Sequence, residues 1–332
     1  LLPHISGLRR LSFVGIWKAR LAAGAGQVET ALDHCLAVAR GARHWQTRRV
    51  LVEQMVGVAM SRLAHQEILS FLDAHELSAA SLERIQTELA AVYGDAYPGV
   101  DVSFERLVVL DTIQHVFTEG GPGGGHLVPR EIASLTSDLP LPDVAELEVF
   151  SAPVLVGLGM LHARRNATIE TANALYDRLE ARAAMTPFER EQSELPDGDG
   201  MLLELSKVRY ALLWTLFPAI DRASEIGFRG RVVHEATLAV LALHRWRLDR
   251  GRYPDHLADL VEAGLLTRIP GDPFADGPLV YRVTDEGFTL YSVGPNLKDD
   301  GGTLGYDRKG RPDIWADESA DAVFWPLPKR RD

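Results

Sequence analysis

The stretch HEATLAVLALHRWRLDRGRYPDHLADLVEAG, residues 234–264, decides how the chain reads. Its first half repeats apolar residues at helical spacing, its middle breaks at GRYP, and its end offers a second, short helix. Downstream the period changes from helical to alternating. PLVYRVT, a DEG turn and FTLYSVG predict a short antiparallel hairpin. Alternation puts Phe288, Leu290 and Ser292 on one face and Thr289, Tyr291 and Val293 on the other. A lone hairpin is marginal in water, so one face is expected to pack on the long helix.

Upstream the pattern is helical. ALDHCLAVARGARHW, RRVLVEQMVGVAMSRLAHQEILSFLDA and SAASLERIQTELAAVY fit one-sided helices, the last with a serine start. GDAYPGVD interrupts them and VSFERLVVLDTIQHVFTE resumes. AELEVF, LVGLGMLHARR and IETANALYDRLEARAAM continue around a break at SAPVL. MLLELSKVRYALLWTLFPAI adds one or two apolar helices, with Pro218 marking a kink or an end. Short loops between such helices imply antiparallel packing in an array. Tetratricopeptide-like pairs are conceivable, although no clean internal period is found. The expected fold is mainly α: an all-helical domain over residues 1–230, a multi-helix array, then a small α+β domain over 231–332. In the latter a long helix packs on a short antiparallel sheet that carries an acidic, glycine-rich loop.

With 332 residues, 46% of them hydrophobic and 24% charged, the chain has apolar side chains enough for one large core or two ordinary ones. A net charge of -11, with positive charge scattered apart from KRR at 329–331, argues against nucleic acid as a partner. The single cysteine, Cys35, excludes an internal disulfide and a thiolate-rich zinc site, and its helical setting predicts a buried thiol. No run of 18 apolar residues occurs, so no membrane span is expected. The chain opens LLPH rather than with methionine, which leaves room for a signal peptide or membrane anchor ahead of it.

Catalytic signatures are sparse. The eleven histidines include no HExxH pair, and GxSxG, CxxC and a dinucleotide fingerprint are absent. GGPGGGH at 120–126 lacks the preceding strand and following GK[ST] of a phosphate loop, and reads as a flexible loop over a groove. His234 and Glu235 are adjacent and are expected to face different directions, while His244 lies ten residues after His234, too far to share a small metal with it. Glu53 with Glu67, or Glu204 with Asp221, would form an acid pair only if the fold brought them together. A hydrolase with its site in a cleft of the helical domain is the alternative function. Trp17, Trp45, Trp214 and Trp246 fall in helix-period stretches and are expected in the core, whereas Trp315 and Trp325 are placed to clamp the C-terminal tail onto the sheet.

Residues 231–318 as a combined pattern resemble the globular domain of type II secretion major pseudopilins. The pieces are Asp249, Gly251, Tyr253 and Pro254 at the turn, and Asp272 and Pro273 leading into the sheet. Tyr291, Ser292, Gly294 and Asn296 open the loop, with Gly301, Gly302, Asp313 and Ile314 further on. The resemblance implies a pseudopilin-like topology, an envelope-associated or extracytoplasmic setting, and a loop that binds calcium. By position it implicates Asn296, Asp300 and Asp313, to which Asp299 and Asp307 are local additions. Two departures stand out: Arg311 occupies the place of a second acid, and Trp315 follows Ile314 directly.

Calcium takes six to eight oxygens at about 2.3–2.6 Å, which an irregular loop can supply, and the alternative is a solvated acidic loop. The helical module upstream makes a filament subunit the lesser expectation. The sequence therefore points to a noncatalytic, envelope-associated binding or assembly protein with a structural calcium site and a protein partner on its helical region.

Overall fold

The computed structural model describes residues 3–47, 49–94, 96–128, 131, 159–217, 219–285, 287–310, 312–315 and 320–328. The segments AELEVF and SAPVL, Pro218, Arg311 and the basic KRR cluster lie outside them. Helices α1 (Pro3–Gly24), α2 (Val28–Arg43), α3 (Leu51–Ala74), α4 (Ala79–Tyr93) and α5 (Ser103–Val116) come first. After them come α6 (Arg165–Ala184), α7 (Pro187–Gln192), α8 (Gly198–Leu203) and α9 (Ala211–Leu216). The long helix α10 (Ile220–Arg250) and the short α11 (Leu257–Glu262) lead into the strands.

Local chemistry sets several boundaries. Ser78 caps α4 by accepting the Ser81 N–H at 3.1 Å. Thr186 and Glu189 form a capping box at α7. Gly251 ends α10 in the left-handed conformation at the expected GRYP turn.

The protein is thus mainly helical, an N-terminal helical array with a small C-terminal helix-plus-sheet region. Strands β1 (Gly271–Asp272) and β2 (Gly277–Pro278) pair with each other, and β3 (Val280–Thr284), β4 (Gly287–Ser292) and β5 (Ala322–Trp325) form an antiparallel sheet in that order. The hairpin is as read, with Val280 opposite Tyr291 and Val283 opposite Phe288. Phe288 and Leu290 are buried in one core with Val240, Leu243 and Phe324.

Three sequence readings are corrected here. The sheet has a third strand, so Trp325 is a strand residue whose ring stacks on Phe288 at 5.9 Å. The long helix begins at Ile220, ahead of the stretch 234–264 from which it was read. Trp17, expected in the core, is 62% exposed.

One hydrophobic core extends from α1–α4 through α10 to the sheet, and a second joins α5, α6, α8, α9 and the start of α10. Glycines let α10 cross closely. A Cβ at Gly230 would lie 2.8 Å from Tyr97 Oη and 2.8 Å from Val58 Cγ1, and one at Gly227 would lie 2.7 Å from Val100 Cγ2. Bringing α10 this near to α3 sets His234, one turn beyond Gly230, against His65, two turns beyond Val58.

Candidate functional site

The acidic loop is closed by two buried carboxylates at its edges. Asp321, at the head of β5, accepts the N–H groups of Asp300 (3.2 Å), Gly302 (2.7 Å) and Thr303 (3.1 Å). Asp272, on β1, accepts the N–H groups of Phe274 (3.0 Å) and Val293 (2.9 Å) and the Ser292 hydroxyl (2.8 Å). Burial raises both carboxyl pKa values, and the donated hydrogen bonds pull the other way.

The five residues expected to hold calcium do not share a centre. Asp299 accepts the Tyr291 hydroxyl at 2.7 Å, the Gly301 N–H at 2.9 Å and Arg282 at 3.0 Å, and this hydrogen bonding lowers its pKa. Asp307 accepts the N–H of Lys309 at 2.8 Å, and Asp313 that of Trp315 at 3.1 Å. Asn296 and Asp300 alone among the five meet, the amide donating to the carboxylate at 2.7 Å. Among the described residues, no three His, Cys, Asp or Glu side chains are grouped to hold a metal ion.

The acid pairs considered from the sequence separate, each acid meeting a base of its own. Glu67 takes both prongs of Arg20 at 2.8 and 2.7 Å. Glu53 meets His4 at 2.7 Å, Glu204 meets Arg178 at 2.7 and 2.9 Å, and Asp221 meets Arg182 at 2.9 Å.

What the fold does bring together is a buried polar chain between α3, α4 and α10, from residues far apart in the sequence. His65 is fully buried, and its Nδ1 lies 2.6 Å from the Ser61 carbonyl, a bond that only an Nδ1–H can make. Its Nε2 lies 2.9 Å from Nδ1 of His234. Burial lowers the His65 pKa to about 4 and holds His234 well below its ordinary value, with His65 and Arg268 adding to the second effect. Both rings are therefore neutral near pH 7, and the tautomers follow. His65 Nε2 accepts, His234 Nδ1 donates, and His234 Nε2 carries the free lone pair.

Tyr93 and Tyr97 pack on the His234 ring at 4.6 and 5.7 Å, and Gln46 donates to the Tyr97 hydroxyl at 2.8 Å. His234 and Glu235, expected to diverge, both line one cleft of about 380 Å³, together with Tyr97, Leu238, Thr267 and Arg268. A cleft wide enough to span the angle between neighbouring helical positions accommodates both. The signal in the sequence was a histidine on the apolar face of each of two helices, since buried polar groups require partners.

A third feature is the outer face of α1. Leu11, Phe13, Val14, Trp17 and Leu21 are exposed along it. Arg9, Arg10 and Lys18, also exposed, form no ion pair among the described residues, and the helix carries no acid. Arg9 and Phe13 continue into a groove of about 560 Å³ lined also by Val52, Arg62, Arg222 and Arg229. No described helix is long and apolar enough to cross a membrane.

The fold and these sites define a mainly helical protein with a small helix-plus-sheet region, a buried histidine pair beside a cleft and a basic, apolar outer helix. Comparison with protein-family models, with curated proteins and with solved structures yields no match.

Proposed function

We infer that this chain is a noncatalytic binding protein of an envelope-associated assembly, held at an anionic membrane surface by α1. The observation that carries this function is the α1 face, where apolar side chains stand in water between cations that form no ion pair among the described residues, on a chain of net charge -11. A helix with that division lies in the lipid interface with its aromatic and aliphatic side chains inserted and its cations among the headgroups. The neighbouring arginine-lined groove extends the positive surface. The long helix on a small antiparallel sheet supports the pseudopilin-like topology expected from the sequence. The exposed stripe Phe104, Leu107 and Val108 on α5 supports a protein partner on the helical region.

Vesicle co-sedimentation tests the membrane step. The chain is expected to bind vesicles containing phosphatidylglycerol, to bind phosphatidylcholine vesicles weakly, and to release as salt rises. Replacing Trp17 and Leu21 together by alanine is expected to lower partitioning by about tenfold or more. Equal binding to neutral and anionic vesicles, or an unaffected double variant, would exclude α1 as the anchor.

A second function, hydrolysis in a cleft, is favoured by the free Nε2 of His234, a general base oriented by His65. Its check is a panel of ester, amide and glycoside substrates: turnover abolished in His234→Gln establishes it, and an inert wild type removes it.

A further inference from the structure

The groove of about 560 Å³ is a trough between three helices. Its floor is a stripe of α3, where Val52, Met55, Val56, Ala59 and Leu63 recur at helical spacing. From Val52 to Leu63 that stripe runs about 16 Å along the helix. Phe13 of α1 and Ile226 of α10 stand beside it. Val52 is 50% and Phe13 53% exposed, so the trough opens to water with apolar side chains on its surface.

Each of the three helices also sets a guanidinium in the lining: Arg9 from α1, Arg62 from α3 and Arg222 from α10. None of the three forms an ion pair or donates a side-chain hydrogen bond among the described residues. Arg229, a fourth, is taken by Glu225 and lies over the Trp315 ring. The one acid in the lining, Asp313, accepts the Trp315 N–H at 3.1 Å. Three guanidinium groups against one carboxylate repel a cation and attract an anion, and a guanidinium can give a carboxylate two parallel N–H bonds.

The floor selects the rest of the ligand. The α3 backbone is bonded within its helix, and the Ser12 hydroxyl donates to the Arg9 carbonyl at 2.8 Å. An extended peptide laid there would bury amides without partners, which is costly, whereas an alkyl chain has no polar group to satisfy. A peptide helix is about 10 Å across, so two turns fill on the order of 800 Å³, more than the trough offers. Its volume lies within the range of small-ligand sites.

We propose that this trough binds a long-chain fatty acid, its alkyl chain along the α3 stripe and its carboxylate on the unpaired arginines. The ligand is a monomer in solution and the floor lies on α3, so this binding is independent of the α1 membrane face.

The test is calorimetric titration of the full chain, without vesicles, with octanoate, decanoate and dodecanoate below their micelle concentrations. Saturable binding is expected, tightening by up to about fourfold for each added methylene that the trough covers. Dodecyltrimethylammonium is expected not to bind. Arg62→Gln combined with Arg222→Gln is expected to weaken dodecanoate binding about tenfold or more. Ala59 is exposed on the floor, so Ala59→Trp is expected to fill the trough and abolish binding at an unchanged melting temperature. The variant with Trp17 and Leu21 replaced by alanine is expected to keep dodecanoate binding while losing vesicles, which separates the two sites. Absence of saturable dodecanoate binding overturns the proposal, whatever the vesicles show. So does equal binding of dodecyltrimethylammonium, an affinity indifferent to chain length or to the paired arginine substitutions, or a trough that takes dihexanoyl phosphatidylglycerol and no fatty acid.

Discussion

Asp321 is the residue on which the C-terminal loop turns. Its carboxylate is fully buried and takes three backbone N–H groups, so the chain from 300 to 303 is drawn onto β5 by one side chain. Hydrogen bonds to an ionised acceptor are stronger than neutral ones. Asp321→Asn replaces one accepting oxygen by an NH₂ that opposes the N–H donors, and a loss of about 1–3 kcal/mol is expected in chemical denaturation. The same melts, run in calcium and in chelator, decide what else closes the loop. A shift with calcium that disappears in Asp300→Ala would place a cation at the Asn296–Asp300 pair. Melting indifferent to calcium but lowered in Asp321→Asn would assign closure to the carboxylate alone. From the sequence, Asp321 was hidden because it precedes a run of only four strand residues, AVFW, near the chain end. Asp299, Asp307 and Asp313 were conspicuous there, yet they are engaged by groups of their own neighbourhood.

At the scale of elements, the crossing of α10 over α3 positions the histidine pair. Gly230→Ala would set a methyl group 2.8 Å from both Tyr97 Oη and Val58 Cγ1, closer than packed atoms tolerate, and neither neighbour is the loose end of a long side chain. A cost of about 1–3 kcal/mol is expected, measured by urea unfolding. A separating helix would also lengthen the 2.9 Å bond between His65 and His234, visible as a change in their imidazole spectra. Unaltered stability together with unaltered ring spectra would show that the crossing has room to spare. These glycines explain which part of the fold was legible. The stretch 234–264 revealed a helix, a turn and a second helix because period and punctuation are local properties. The true start of α10 was obscured because Gly227 and Gly230 resemble helix breakers in a sequence, whereas in the fold they are points of close approach. The pairing of His65 with His234 spans 169 residues, and no local pattern encodes which helix meets which. Trp17 was misplaced for a related reason: helical spacing shows that a face exists, and only packing shows whether another element covers it.

For the whole molecule, buried neutral histidines make stability depend on acid. Burial lowers His65 and His244 to about 4 from an ordinary 6.5, and moves His162 below and His234 well below that value. In the unfolded chain these rings titrate near 6.5, so between about pH 6.5 and 4 the unfolded state binds more protons than the folded one. Stability is therefore complete above the unfolded value and is lost as pH falls through that window. His65 alone accounts for about 3 kcal/mol of the loss. Asp272 and Asp321 act with the opposite sign. Their raised folded values favour the folded state in acid, and that contribution disappears as pH rises past them. Four histidines outweigh two carboxylates in this window, so the melting temperature is expected to hold between pH 8 and 7 and to fall steeply below about pH 6, with a proton uptake on unfolding greater than one. His65→Asn, which relieves one titrating ring while retaining polar groups in the chain, should lower stability at pH 7 and flatten the acid slope. A melting temperature constant from pH 7 to 4.5 would mean that the rings take up protons in the folded protein, and the neutral tautomers assigned to His65 and His234 would then fail with it.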